Sequence, residues 1–143
     1  MATYEFMFLT TIAQLPGYFS AAYLVERVGR RPIAAAYFVA SALSAVLLIY
    51  STSYAQLFYA ALALNFFNLG AWGVVYAYTP ELFPTSIRGL ATGLAGSAAR
   101  IGMIIGPTLY PLWASVAFIG VAVAWLIASA LVVLLPETKG REV

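Results

Sequence analysis

The sequence contains no cysteine and no histidine, and only 8% of its 143 residues are charged. Without these two residue types the chain can form no disulfide bond and offers no thiol nucleophile, no histidine base and few zinc ligands. The scarcity of charge argues against a soluble domain, in which about 25% of residues are charged and about 45–50% are apolar. Because 64% of this chain is hydrophobic, we expect a membrane protein that is not an enzyme and has no catalytic residues. We also expect no metal site, no cofactor and no nucleic-acid partner.

Five apolar stretches are each long enough to cross a hydrocarbon layer of about 30 Å, at a rise of about 1.5 Å per helical residue. They predict transmembrane helices at about residues 5–25, 33–52, 55–79, 89–111 and 113–135. The connections are short, with a tight turn expected near residues 110–113, and a polar tail follows at residues 136–143. We therefore predict an all-α, polytopic membrane protein that forms one domain over residues 1–143.

The basic residues lie in alternate connections. Six of the seven lie in the first connection, the third connection and the tail, namely Arg27, Arg30, Arg31, Arg88, Lys139 and Arg141. Loops rich in Lys and Arg remain on the cytoplasmic side of a membrane, so the tail should be cytoplasmic in a multi-pass protein of the cell membrane. Five helices then begin outside the cell, which indicates that earlier helices are missing.

Three short motifs occupy these same basic segments. The first connection reads "AYLVERVGRRP" and carries Glu26 among its arginines, with Gly29 placed for a tight turn and Pro32 for a first helical position. The third connection reads "PELFPTSIRG", in which Glu81 and Arg88 are separated by six residues. The tail reads "PETKG". The three motifs in this order, with helices between them, identify a protein family more specifically than any one of them alone.

Together the three motifs resemble the major facilitator superfamily of secondary transporters, in its sugar-porter-like branch. The first departs from the family's loop signature at two positions, where Ala22 replaces a glycine and Glu26 replaces an aspartate. The resemblance implies that the chain covers helices eight to twelve of twelve, most of the C-terminal six-helix half. It implies alternating-access transport of a small solute, with the missing N-terminal helices and the lipid bilayer as partners. The alternative is a truncated membrane protein that does not transport.

A narrower resemblance comes from residues 12–31, "IAQLPGYFSAAYLVERVGRR", and residues 88–107, "RGLATGLAGSAARIGMIIGP". These segments are similar to bacterial metabolite–proton symporters of the niacin-permease kind. The stretch from Arg100 to Pro107 also resembles organic cation and anion transporters. The resemblance implies a small organic substrate, such as the acid nicotinate, and a proton as the coupled ion.

Polar and aromatic residues mark one face of the third predicted helix. Asn65, Asn68, Trp72 and Tyr76 follow one another at spacings of 3, 4 and 4 residues, which places them on the same side of a helix. Such a face suits the wall of a substrate cavity, since aromatic rings can stack on a flat ligand and amides can orient it. Hydrogen bonding between helices is the other interpretation. Gln14, in the first predicted helix, is a further candidate for the substrate site.

Arg100 is the one basic residue within a predicted span. A charge near the middle of a bilayer costs about 2.5–3.5 kcal/mol on insertion scales, so its presence indicates a function. We predict that Arg100 faces the central cavity and binds an anionic group of the substrate. The alternative is a structural pairing with a carboxylate or with carbonyl groups of the missing half.

The charged residues of the first and third connections form a candidate cytoplasmic gate. Opposite charges on adjacent helix ends can hold the inner side of a transporter closed and separate when it opens. Single exposed ion pairs contribute only about 0–1 kcal/mol, but several shielded ones can bias an equilibrium between two states. The alternative is that they only anchor the topology. The predicted gate residues are Glu26, Arg27, Arg30, Arg31, Glu81 and Arg88.

Overall fold

A computed structural model of the chain describes residues 3–140, with the side chains of residues 4–108 and 117–140. Within this part the chain consists of helices and short connections, with no strand, so the all-α class is confirmed. The helices are α1 Thr3–Ile12, α2 Gln14–Val28, α3 Arg30–Ile49, α4 Tyr54–Glu81 and α5 Arg88–Leu134. By length and composition, four segments of the described residues can cross a membrane, namely Arg30–Ile49, Tyr54–Glu81, Arg88–Thr108 and Ala117–Leu134.

The first predicted helix, over residues 5–25, is divided into α1 and α2 by a turn at Ala13. Pro16 causes the interruption because it has no backbone N–H to donate to the carbonyl of Ile12. The chain regains a hydrogen bond at Gly17, whose N–H donates to the carbonyl of Ala13 over 3.3 Å. The stretch predicted as one span over residues 5–25 thus contains two helices in the structure.

Two glycines let α2, α3 and α4 pack at close range. A Cβ atom added at Gly17 would lie only 2.2 Å from the carbonyl oxygen of Phe66, and one added at Gly70 would lie 2.2 Å from the ring of Tyr37. Any larger residue at either position would force the helices apart. The core of the bundle forms around this crossing and contains Ala21, Val25, Ile33, Ala34, Tyr37, Phe38, Ala71 and Val74.

Helix α5 has 47 residues. A straight helix of this length would measure about 70 Å. Its two ends nevertheless lie near the same end of the bundle. The side chain of Arg88 donates to the carbonyl of Phe83, and the hydroxyl of Ser129 donates to the carbonyl of Ala35. Residues 88–108 and 117–134 therefore run in opposite directions. The sequence predicted a tight turn near residues 110–113, between helices at 89–111 and 113–135. The side chains of residues 110–113 lie outside the described ones.

The two segments of α5 differ in their packing. Residues 117–134 lie against α3, where the ring of Trp125 stacks on that of Phe38 with centroids 5.2 Å apart. None of the residues in the span Arg88–Thr108 is buried, and this segment exposes large apolar side chains such as Leu90, Leu94 and Ile104. An apolar surface of this kind is stable only against lipid or against further helices.

Candidate functional site

An open groove with a volume of about 630 Å³ lies between the C-terminal half of α4 and the first segment of α5. We call it the arginine cavity, because two arginines from α5 line it. Arg100 lies across Gly96, where an added Cβ atom would be 3.4 Å from its Nη1. The guanidinium group therefore lies beside the helix at Gly96. The lining residues are Tyr76, Pro80, Thr85, Arg88, Gly89, Thr92, Gly93, Gly96 and Arg100.

An aromatic pair borders this cavity. The rings of Trp72 and Tyr76 lie 5.6 Å apart between centroids and are tilted by 32°. Tyr76 lines the arginine cavity and is 62% exposed, and with Trp72 it also lines a smaller adjoining pocket against Gly96 and Ala99. The geometry brings a flat aromatic surface and a permanent cation to the same cavity, an arrangement that can hold a planar carboxylate.

The predicted amide residues lie elsewhere. Gln14 donates through Nε2 to Oδ1 of Asn65 over 2.7 Å, and Asn65 donates through Nδ2 to the carbonyl of Ala61 over 2.9 Å. This pair joins α2 to α4, and neither member lines the arginine cavity. Asn68 is half-buried, and its Oδ1 has no hydrogen-bond partner among the described residues.

Ion pairs form at the end of the bundle where α3 begins and α4 ends, which we call the charged end. Nε of Arg30 lies 3.2 and 3.1 Å from the two carboxylate oxygens of Glu81, and Nη2 lies 3.1 Å from Oε1. Glu26 contacts the same guanidinium at 3.1 Å. The hydroxyl of Thr138 also donates to Glu81. Glu81 therefore accepts hydrogen bonds from Nε and Nη2 of Arg30 and from the hydroxyl of Thr138 in the tail.

The tail carboxylate of Glu137 caps helix α3. It accepts the backbone N–H groups of Arg30 at 3.0 Å and Arg31 at 3.1 Å, together with those of Thr138 and Lys139 at 3.0 Å each. Burial raises the pKa of Glu137, but these four donors outweigh it and hold the pKa below its ordinary value. Sequence reasoning missed this role, although "PETKG" was recognised as a motif and an acidic residue suits a helix N-terminus.

Gly29 makes the cap possible. Its φ of 128° lies in the region that favours glycine, and a Cβ atom there would be 2.7 Å from Oε2 of Glu137. The tight turn expected from the sequence at this position therefore has a second purpose, which is to leave space for the carboxylate.

The remaining gate candidates take part in other contacts. Arg27 lies over the ring of Tyr23, 4.8 Å from its centroid, and Arg31 contributes its backbone N–H to Glu137. Arg88 does not contact Glu81. Its Nε donates to the carbonyl of Phe83 over 3.4 Å, and its Nη2 is buried without a partner among the described residues. Of the six predicted gate residues, the structure joins Arg30, Glu81 and Glu26.

Comparison with known proteins agrees with the motifs. A family model described as Major Facilitator Superfamily matches residues 3–143. A Bacillus subtilis protein, described as a candidate niacin/nicotinamide transporter NiaP, is 44% identical over 98% of this chain and 37% of the relative. The niacin transporter NiaP of Acinetobacter baylyi is 36% identical over 97% of this chain and 33% of its own length. Solute carrier family 22 member 16 of Bos taurus is 34% identical over 94% of this chain and 24% of its own length. The chain thus spans about a third or less of each of these relatives.

Proposed function

The chain belongs to the major facilitator superfamily, and from this membership we propose that it is the C-terminal part of a secondary transporter for a small organic solute. Such transporters bind substrate near the middle of the membrane, at the interface of two repeats, and expose it to each side in turn. The unburied surface of residues 88–108 would then face helices that precede this chain in the complete transporter. The helices make it a multi-pass membrane protein.

In this proposal the charged end of the bundle is cytoplasmic. Five basic residues of the described part lie there, whereas the connection between α3 and α4 has none. The positive-inside rule assigns such an end to the cytoplasm. The protein would then lie in the cell membrane with the C-terminus of this chain inside.

The proposed substrate is a small organic acid such as nicotinate. The observation that carries this choice is the shared cavity, which both Arg100 and the exposed Tyr76 line. A guanidinium remains charged at any physiological pH and can donate two parallel hydrogen bonds to a carboxylate. The aromatic pair of Trp72 and Tyr76 offers a stacking surface for a flat ring. The two relatives with niacin in their names support the same choice.

The other predicted substrate residues take supporting positions in this scheme. Gln14 and Asn65 fix α2 against α4 through their hydrogen bond, which would hold the wall behind the site. Asn68 has a buried Oδ1 without a hydrogen-bond partner among the described residues, and in this proposal a group from outside this chain would satisfy it. We propose coupling to protons, as in the symporters that the sequence resembles. No acidic side chain lines the arginine cavity, so the proton-binding carboxylate would come from outside this cavity.

The gate in this proposal centres on Arg30 and Glu81. Their two-pronged contact joins α3 to α4, and Thr138 ties the tail to the same carboxylate. These links would hold the cytoplasmic side closed. Glu26 adds a second carboxylate to Arg30, while Arg27 and Arg31 contribute positive charge beside it.

Uptake of labelled nicotinate by the full-length transporter tests the proposal. We expect Arg100→Ala to abolish nicotinate uptake and Arg100→Lys to retain part of it, because a lysine keeps the charge but not the paired hydrogen bonds. Neutral nicotinamide should compete better against nicotinate in Arg100→Ala than in the unmodified protein. Met103→Ala truncates an exposed long side chain on the same helix outside the cavity and serves as the control. Normal nicotinate uptake by Arg100→Ala, at equal membrane levels, would refute the proposed site.

A further inference from the structure

Another open groove, with a volume of about 410 Å³, lies between the C-terminal end of α3 and the N-terminal half of α4. We call it the tyrosine groove, because two tyrosines line it, with 76% of Tyr50 and 69% of Tyr59 exposed. The lining residues are Leu47, Tyr50, Ser51, Gln56, Tyr59, Ala60 and Ala63. None of these residues is charged, so the groove suits a largely apolar ligand with a polar end.

The tyrosine groove lies on the side of α4 that faces away from the proposed substrate site. Ala63 in the groove and Trp72 beside the arginine cavity are nine residues apart on α4, which is two and a half turns and places them on opposite sides of the helix. Helix α3 packs on the groove side, where the rings of Tyr37 and Phe67 lie 5.6 Å apart between centroids. Helices that complete the substrate site would approach α4 from its Trp72 side, and the tyrosine groove would remain open to the membrane.

An apolar stripe on α3 continues from the membrane span into the groove. Val39, Leu43 and Leu47 follow one another at intervals of four residues and are all exposed, which places them on one side of the helix. Leu47 lines the groove, and Tyr50 follows it at the end of the span. Exposed tyrosines are typical of the boundary between hydrocarbon and headgroups. The stripe therefore offers an acyl chain a path of about 12 Å into the bilayer.

Gln56 supplies a hydrogen-bond donor to the groove. Its Oε1 accepts the N–H groups of Thr52 at 3.1 Å and Ser53 at 3.3 Å, and the hydroxyl of Thr52 at 3.2 Å. With the oxygen held in this way, Nε2 has no acceptor among the described residues and can donate to an ester or phosphate oxygen. Residues 50–57 carry no charge, so this end lacks the basic cluster that selects anionic lipids.

We propose that the tyrosine groove binds one glycerophospholipid of the outer leaflet. One acyl chain lies along Val39, Leu43 and Leu47, and the glycerol esters lie beside Gln56 and the two tyrosines. The choice of leaflet rests on the orientation proposed above, in which the charged end is cytoplasmic. The site itself does not depend on the identity of the transported solute. Because the groove is uncharged, zwitterionic and anionic headgroups should bind equally well.

Photolabelling of the full-length transporter in membrane vesicles tests the proposal, with a phosphatidylcholine that carries a diazirine in one acyl chain as the probe. We expect the label in peptides from residues 39–63, identified by mass spectrometry. Combining Tyr50→Ala with Tyr59→Ala should lower this labelling about fivefold, because two aromatic surfaces no longer cover the chain. Ala63→Leu, which narrows the groove from α4, should lower it as well. Tyr4→Ala removes an exposed tyrosine outside the groove and should leave the labelling unchanged.

Competition and the side of addition complete the test. Unlabelled phosphatidylglycerol should compete as well as unlabelled phosphatidylcholine, nicotinate should not compete, and a probe added to the outer leaflet should label the groove first. Displacement by nicotinate would show a solute site and refute the proposal. Labelling spread evenly over all exposed apolar faces, or lowered equally in Tyr4→Ala, would reduce the effect to general contact with the bilayer and also refute it.

Two further outcomes would overturn parts of the proposal. Competition by phosphatidylglycerol alone would contradict the uncharged character of the site, and labelling from the cytoplasmic leaflet alone would overturn the choice of leaflet. None of these measurements requires nicotinate uptake. A transporter that labels as expected but does not carry nicotinate would refute the proposed substrate and leave the lipid site standing.

Discussion

Replacement of Glu137 by glutamine should destabilise the charged end, because this carboxylate caps α3 and holds the tail. The carboxylate accepts four backbone N–H groups, three at Oε1 and one at Oε2. A glutamine keeps one acceptor oxygen but directs an NH2 group at the N–H of Arg31, so at least one hydrogen bond is lost. It also removes a negative charge from the start of a helix, worth about 0.3–1 kcal/mol. A hydrogen bond to a charged group contributes about 1.5–3 kcal/mol. Because the site is partly exposed, we reduce the sum and expect the substitution to lower the free energy of unfolding by about 1–3 kcal/mol.

The sign of the pH dependence follows from the lowered pKa of Glu137. The unfolded chain has the ordinary value, about 4.3 for a glutamate, and the folded chain has a lower one. The stabilisation is therefore fully present above the ordinary value and is lost as the pH falls through the lowered one. The difference between Glu137→Gln and the unmodified chain should be largest at neutral pH and should shrink in acid.

Thermal unfolding of the purified chain in detergent, measured at several pH values, provides the assay. Glu26→Gln is the matched control, since Glu26 is a carboxylate of the same cluster whose side chain is 72% exposed; we expect it to cost under about 1 kcal/mol. An unfolding midpoint for Glu137→Gln that equals that of Glu26→Gln at neutral pH would refute the capping argument. A difference that persists undiminished in acid would refute the assignment of the effect to the charge of Glu137.

Three further predictions concern topology, completeness and the gate. A cysteine at Ser53 should react with an impermeant reagent in intact cells, whereas one at Ser86, exposed at the charged end, should react only after permeabilisation; the reverse would contradict the orientation. The 143-residue chain alone in liposomes should not transport, because it spans only about a third of the length of the niacin-transporter relatives and the proposed site lies between two repeats; saturable uptake by it would disprove this. In the full-length transporter, Glu81→Gln should shift the balance towards the inward-open state by weakening the contact with Arg30, as measured by cysteine accessibility from each side. Unchanged accessibility would exclude a gate at Glu81.

The all-α membrane architecture could be predicted because hydropathy depends on residue type alone. The stretches at 33–52 and 55–79 correspond to α3 and α4 within a few residues. The break at Ala13 was not predicted because the first helix was placed by hydropathy, which does not register the effect of Pro16 on the backbone. Pro16 removes a hydrogen bond in any context, but whether the helix bends or ends depends on the neighbouring helix. Here Gly17 must approach the backbone of Phe66, a tertiary requirement that hydropathy does not contain.

The candidate site was predictable where the residues of one helix meet and less so where helices meet each other. Trp72 and Tyr76 are four residues apart on α4, and helical periodicity alone brings their rings together. Asn65 belongs to the same predicted face, yet its side chain bonds to Gln14 of α2. That outcome depends on how α2 packs against α4. The sequence alone therefore could not decide whether Asn65 lines the cavity or forms a hydrogen bond between helices.

The pairing of Glu81 shows why the spacing within a motif does not define a contact. Six residues separate Glu81 from Arg88, which suggests a local pair. Glu81 is however the last residue of α4 and Arg88 the first of α5, and the intervening connection contains Pro84, which cannot donate a backbone hydrogen bond. The two helices leave this connection in opposite directions, so the carboxylate faces α3 and meets Arg30, while Arg88 lines the cavity. The same separation leaves Arg88 with the carbonyl of Phe83 as its hydrogen-bond acceptor among the described residues, so the two charged residues of one motif have different partners.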